Sequence, residues 1–315
     1  SIKHGINKDN KSRMGGIVIF FFFSYLIFQD LELLILNFFV EDYLYYLVIF
    51  AFVTFLGFTD DFIGGLHYIF KLYFLFFIVI FLLLSYDFLL IRDSKNYIIN
   101  MVISNSFFSY LISVFVILGF INASNVADGA NGILSGISSI FFYIIFKESN
   151  IQFFESLYIL MFTFFCYNIL VSKIFLGDSG SYLLGFLIST LSLYYYNNYE
   201  ISAGLLATLL SYPCLEITFT LIRRFNLNKN PLKPDNKHLH NFVYNFLKKT
   251  FFLHKYRNLT NSISGILILL IFSVPTVLIY KVTNSVDSIY YWYTFLIQTF
   301  IYILIYFYCN KIIKN

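Results

Sequence analysis

Two adjacent carboxylates, Asp60 and Asp61, stand in the run Gly57-Phe58-Thr59-Asp60-Asp61-Phe62-Ile63-Gly64-Gly65, at the end of an apolar stretch. Neighbouring carboxylates repel unless a cation lies between them or one holds a proton. A hard divalent cation such as Mg²⁺ takes oxygen ligands, commonly a few carboxylates plus substrate phosphate. The run therefore reads as a motif for metal and phosphate, the alternative being a helix that merely ends in water. In a second motif, Asn122-Ala123-Ser124-Asn125-Val126-Ala127-Asp128-Gly129-Ala130-Asn131-Gly132, polar residues recur at every third position, roughly one side of a helical turn. Gly129 and Gly132 let backbone approach a ligand closely. The apolar stretch that follows would offer free N–H groups to an anion; a plain polar turn is the other reading. In a third motif, Phe175-Leu176-Gly177-Asp178-Ser179-Gly180-Ser181, Asp178 opens another apolar stretch. It is either an N-cap or a metal ligand.

The fourth feature is the polar stretch 223–262. Pro231 and Pro234 precede Asp235, a candidate N-cap, and Leu239, Phe242, Val243, Phe246 and Leu247 follow with amphipathic-helix spacing. Lys248 and Lys249 close it, suiting the helix dipole and an anionic leaflet. His238 and His240 fall in the first turn of that helix. Two positions apart they point about 200° away from each other, which makes them poor joint zinc ligands. As donors near a helix N-terminus they suit a diphosphate.

The elements that must hold these motifs are set by composition. The 315 residues are 59% hydrophobic, 22% aromatic and only 12% charged, with a net charge of +4; the mean hydropathy is +0.76. A soluble chain is nearer a quarter charged, so a soluble domain, a disordered chain and a nucleic-acid binder with a basic face are all excluded. The expected fold class is all-α, a polytopic integral membrane protein with about ten transmembrane helices. The candidate spans are 15–28 (running at most to 36), 43–57, 67–85, 106–122, 129–147, 151–172, 178–196, 201–223, 263–281 and 290–310. Residues 1–315 form a single transmembrane domain in this reading, with 223–262 a loop carrying the amphipathic helix. No internal repeat is visible. Cys166, Cys214 and Cys309 are far apart in apolar runs and read as small buried hydrophobes.

Ten spans alternate the connecting segments between two sides. One side holds sixteen of the 21 Lys and Arg residues, the other four, and Lys71 lies within a span. The positive-inside rule puts the richer side in the cytoplasm. The acids sort the other way: ten lie on the far side, and Asp9, Asp60, Asp61, Asp128, Asp178 and Asp235 on the near one. All four motifs therefore share the expected cytoplasmic face. Glu216, beside Pro213, lies well inside a predicted span. A transporter for a lipid-linked or nucleotide sugar, the competing class, would keep its ionisable relay at mid-membrane.

The motifs, taken in order, resemble those of the polyprenyl-phosphate N-acetylhexosamine-1-phosphate transferases of glycosyltransferase family 4. They look closest to the bacterial undecaprenyl-phosphate GlcNAc-1-phosphate transferase branch that starts O-antigen and related glycans. The resemblance is carried by Arg13-Met14-Gly15-Gly16, Asp60-Asp61, Asn125-x-x-Asp128-Gly129, Phe175-Leu176-Gly177-Asp178-x-Gly180-Ser181 and Pro234-Asp235-x-x-His238-x-His240. It implies Mg²⁺-dependent transfer of a sugar 1-phosphate from a UDP-N-acetylhexosamine to a polyprenyl phosphate, with release of UMP; Mn²⁺ is the second candidate ion. By that likeness Asp60 acts as base on the acceptor phosphate, and Asp61 and Asp178 serve the metal. Asn125, Asp128 and Gly129 line the nucleotide-sugar site, Phe175 stacks on uracil, and Asn168 matches a further polar position. Lys71 serves at the interface, and His238 and His240 contact the diphosphate. The likeness also implies an inner-membrane protein with a cytoplasmic active site, and it leaves a homodimer open. It implies one more span ahead of the first cytoplasmic loop, inside which this sequence begins. Two departures matter: Asn241 stands where the family's histidine run ends, and Asn7 where a histidine is frequent. The peptidoglycan-precursor transferases, which use a MurNAc-pentapeptide donor, carry a lysine shortly after the paired Asp. Phe62, Ile63, Gly64 and Gly65 stand there instead.

Overall fold

The computed structural model describes residues 12–29, 43–94, 96–198, 200–228, 230, 236–250 and 256–314. In chain order the helices are α1 (Gly15–Gln29), α2 (Tyr43–Ile63), α3 (Tyr68–Ser85), α4 (Tyr97–Ile103), α5 (Ser106–Ala127), α6 (Ile133–Ser149) and α7 (Gln152–Leu170). They continue with α8 (Gly177–Asn197), α9 (Ala203–Leu209), α10 (Ser211–Asn226), α11 (Leu239–Thr250), α12 (Arg257–Phe272), α13 (Val274–Thr283) and α14 (Ile289–Lys314). Among the described residues the only β-type pairing is one isolated bridge, Ser12 to Ile174. Helices satisfy their own backbone in hydrocarbon, which is why apolar runs of this length adopt them.

Among the described residues, six helical segments are long and apolar enough to cross a membrane: Leu44–Ile63, Tyr68–Ser85, Ser106–Ala127, Gln152–Leu170, Arg257–Thr283 and Ile289–Ile312. A seventh arises if α9 and α10, bent by 73°, count as one span. Pro213 explains that bend. A proline lacks an N–H and its ring clashes with the carbonyl four residues back, here Leu209, where α9 ends. The other three expected spans are helical, but α1 and α6 are short, with 15 and 17 residues. The third, α8, carries buried Ser179, Ser181, Ser189, Thr190 and Ser192, small polar residues that let helices approach closely. Among the described residues the expected ten spans are therefore not confirmed. Large apolar side chains face outward, Phe77 at 65% exposure and Phe115 at 74%; water would penalise that surface, whereas acyl chains suit it. The chain is a multi-pass membrane protein.

The described structure divides into two compact units. The first comprises Arg13–Ser124 and Leu176–Ser202. Its centre is α8, buried along nearly its whole length, against which α1 and α2 pack. Gly57 permits the α2 contact: a Cβ there would lie 2.4 Å from Ser179 Cα. Tyr46 and Thr190 hydrogen-bond across the same seam at 3.0 Å.

The second unit comprises Ser1–Ser12, Asn125–Phe175 and Ala203–Asn315. Here α6 packs on α7, α12 packs on both, and α11 packs on α12 and α14. Asn131 ties the helix ends together. Its amide donates to Ser172 Oγ at 2.7 Å and Ser262 Oγ at 3.0 Å, and its carbonyl accepts from Asn261 at 2.8 Å. Of the three cysteines expected to be buried, Cys309 is; Cys166 is half-buried and Cys214 exposed. The proposed cap Asp235, with Pro231 and Pro234, lies outside the described residues, as does Asn7.

Candidate active site

The first unit gathers Asp60, Asp61, Asp178 and Lys71. Asp60, 1% exposed, sits in the last turn of α2. Its Oδ1 accepts the Leu66 N–H at 2.6 Å and its Oδ2 the Lys71 ammonium at 2.7 Å. Gly64, with φ of 82°, ends α2 so that the chain turns back towards Asp60 and α3 can present Lys71. The Asp178 carboxyl lies close to that of Asp60, and carboxylates this near repel unless a proton or a cation lies between them.

Asp61 is turned to the N-terminus of α8. Its Oδ2 accepts the Ser179 N–H at 3.1 Å, and its Oδ1 pairs with Arg13 at 3.3 Å. The residue at the α8 N-cap is Leu176, without a side-chain cap. Asp178 is therefore no N-cap, and the cap comes from Asp61 on another helix. Gly177 has a φ of 72°, and a Cβ there would come 2.4 Å from Asp61 Oδ2, so this position admits glycine for conformation and for space. Tyr182, one turn on, is buried, with the Lys71 ammonium 6.0 Å from its ring centre. Arg13 belonged to the recognised motifs; Tyr182 did not, and its only signal in the sequence was its place one turn after Asp178.

Among the described residues, no three His, Cys, Asp or Glu side chains form a ready metal-binding group. The donor chemistry still fits Mg²⁺, which keeps several waters and binds through one or two carboxylates completed by substrate phosphate. Asp178, buried beside Asp60 and near Asp61, supplies hard oxygen of the kind such an ion takes.

In the second unit, Asn125 lies in the last turn of α5 and Asp128 just beyond it, both half-buried. Gly129 does not start a helix, as the sequence suggested; α6 begins at Ile133. The N–H of Gly132, expected to be free for an anion, donates to Asn168 Oδ1 at 2.7 Å. Asn168 is 4% exposed and donates in turn to the Ile174 carbonyl at 2.7 Å. Its side chain thus joins the α6 start to the strand-like segment that carries Phe175, whose N–H donates to the Ser12 carbonyl at 2.9 Å. Phe175 itself is half-buried.

His238 and His240 are brought together. Helix α11 starts at Leu239, so His238 precedes it and escapes the helical geometry. The rings stack, 5.4 Å apart with 15° between their planes, instead of diverging as two helical positions would. His238 Nδ1 lies 2.9 Å from Glu216 Oε1, and His240 Nδ1 lies 3.0 Å from Tyr212 Oη. Gly129 provides the seat for the second ring: a Cβ on it would fall 1.9 Å from His240 Nε2. Burial pushes the His240 imidazole down to about 3, with His238 adding to the shift and Glu216 opposing it. Tyr212, Glu216 and Thr220 recur every fourth residue along one face of α10; Tyr212 and Thr220 were not foreseen as histidine partners, although that spacing was there to be read.

Residues 43–196 match the family described as glycosyl transferase family 4. An undecaprenyl-phosphate alpha-N-acetylglucosaminyl 1-phosphate transferase of Thermotoga maritima is 39% identical over 123 residues, covering 39% of each chain. A probable undecaprenyl-phosphate N-acetylglucosaminyl 1-phosphate transferase of Bacillus subtilis is 35% identical over 148 residues, covering 44% of this chain and 41% of its own. A phospho-N-acetylmuramoyl-pentapeptide-transferase of Prochlorococcus marinus is 32% identical over 209 residues, 59% of this chain and 56% of its own. The chain thus spans about half the length of these relatives or less. Asp60, Asp61, Lys71, Asn125, Asp128, Asn168, Phe175 and Asp178 all fall in the stretch that matches the family. That stretch, 43–196, is what makes the chain similar to glycosyl transferase family 4.

Proposed function

We propose that this protein transfers a HexNAc-1-phosphate from a UDP-N-acetylhexosamine to a polyprenyl phosphate such as undecaprenyl phosphate, releasing UMP. The observation that carries this reading is Asp60, a buried carboxylate held by Lys71 and the Leu66 N–H at the end of a membrane span. In the reaction, an oxygen of the lipid phosphate bonds to the sugar-bearing phosphorus. The bond from that phosphorus to the bridging oxygen breaks, and UMP leaves with the oxygen and its electron pair. Asp60 takes the proton of the lipid phosphate, and Lys71 offsets charge beside it. Asp178 and Asp61 would hold Mg²⁺, or Mn²⁺, which would neutralise phosphate charge during phosphoryl transfer. Asn125, Asp128 and Gly129 serve the nucleotide sugar, Phe175 stacks on uracil, Asn168 holds these segments in place, and His238 and His240 serve the diphosphate. The protein works in the bacterial inner membrane with these groups facing the cytoplasm, at the first membrane step of a cell-surface glycan.

The pentapeptide transferase reading is favoured by one observation, the broader match to the Prochlorococcus marinus relative. Against it, Phe62 to Gly65 occupy the stretch where that branch places a lysine. Donor competition separates the two. With purified protein, Mg²⁺ and undecaprenyl phosphate, UDP-GlcNAc or UDP-GalNAc is expected to yield UMP and UDP-MurNAc-pentapeptide none. Turnover of the pentapeptide donor alone would reverse the assignment.

A further inference from the structure

Glu216 has no place in the motifs, and it is fully buried, at 0% exposure. A carboxylate in such a place needs several partners, and this one has them. Oε1 lies 2.9 Å from His238 Nδ1, while Oε2 accepts the Leu239 N–H at 3.0 Å and the Tyr302 hydroxyl at 3.1 Å. The Leu239 contact caps α11 from α10, and the Tyr302 contact holds the carboxylate from α14. Thr220 Oγ1 lies 3.4 Å from the same Nδ1.

We infer that Glu216 is a positioning residue that fixes His238 with its proton on Nδ1 and locks the start of α11, so that Nε2 is the nitrogen left to take up a second proton and, in the charged ring, to donate to an anionic phosphate. The chemistry follows from the donor inventory. An ionised carboxylate only accepts, so Nδ1 must carry the proton in the neutral ring as well as in the charged one. A partner at one ring nitrogen sets the state of the other. The stacking of His240 on His238 restrains ring rotation, and Tyr212 orients His240 in turn. This role rests on the proposed transfer reaction, in which His238 meets the diphosphate, but the tautomer itself does not.

The test uses the full chain in detergent, labelled with ¹⁵N-histidine; there are five histidines, and His238→Asn identifies the signal of interest. Wild type is expected to show the His238 proton on Nδ1 near neutral pH. Glu216→Gln, of the same shape, is expected to lose that preference, while Glu216→Asp restores it in part. Turnover with UDP-GlcNAc and undecaprenyl phosphate should fall in kcat by about tenfold or more for Glu216→Gln, the scale seen when a histidine loses its orienting group. KM should change less, and Glu216→Asp should recover part of kcat. A His238 tautomer unchanged in Glu216→Gln would overturn the inference. So would a kcat loss matched by His238-independent unfolding, with the Nδ1–H signal intact. Absence of UMP release from wild type would remove the transfer reading and leave the spectroscopic result to decide the role of Glu216.

Discussion

Asp61 caps a helix that is not its own: its Oδ2 accepts the N–H of Ser179, 118 residues along the chain, at 3.1 Å. The contact puts a carboxylate at the positive end of α8 and fixes the register of α2 on that helix. Asp60, the neighbouring residue, then faces Asp178. Adjacent carboxylates thus have different duties, one anchoring the helix start and the other pairing with Lys71.

Removing that anchor should be felt in both stability and turnover. Asp61→Ala is expected to lose about 1 kcal/mol or somewhat more, the scale of a lost N-cap. Asp61→Asn keeps an acceptor for Ser179 and should lose less. Thermal unfolding in detergent checks the order; equal midpoints for Asp61→Ala and wild type would remove the capping role.

The Lys71–Asp60 pair is set deeper. Breaking a buried pair costs about 3–5 kcal/mol, and Lys71→Met should fall at or below the low end, since the lysine side chain is 21% exposed and water screens it in part. The double variant Asp60→Asn/Lys71→Met should be more stable than the sum of the single losses implies, because neither charge is left alone. Additive losses would show that the pair is not coupled.

His240 gives a pH dependence of known sign. Its folded value is about 3 against an ordinary 6.5, so between these values the unfolded chain binds a proton that the folded chain refuses. Stability from this residue is complete above about pH 6.5 and is lost as pH falls towards 3. Melting midpoints of wild type should drop on acidification through this range, and those of His240→Gln should drop less steeply. Parallel curves would place the titration elsewhere.

Gly129→Ala should displace the His240 ring, because the added carbon would overlap Nε2. Turnover is expected to fall by about tenfold or more, since a shift of about 1 Å in a positioned group has effects of this order. An unaffected rate would mean that His240 does not need its seat.

Much of this was legible in the sequence. Apolar runs announced the helices because lipid leaves the backbone no other partner, and the carboxylate and histidine motifs stood out against a chain with few charges. What escaped has a physical cause in each case. The span 178–196 looked like its neighbours, but α8 is enclosed by protein and so tolerates serines that a lipid-facing helix would not. His238 and His240 were expected to diverge, yet a helix that starts only at Leu239 frees His238 from the 3.6-residue period. The Asp61 cap, the Asn168 bond to Gly132 and the Glu216 bond to His238 join residues distant in sequence, and local spacing carries no trace of them.

The most direct measurement is transfer itself. Purified protein is incubated with Mg²⁺, undecaprenyl phosphate and UDP-GlcNAc labelled in the sugar, and UMP and lipid-extractable label are followed together. The account predicts equal amounts of both, dependent on the lipid phosphate, suppressed by chelator, and lost in Asp178→Asn protein that still folds. Absence of UMP with any UDP-HexNAc, or full turnover in Asp178→Asn, would contradict it.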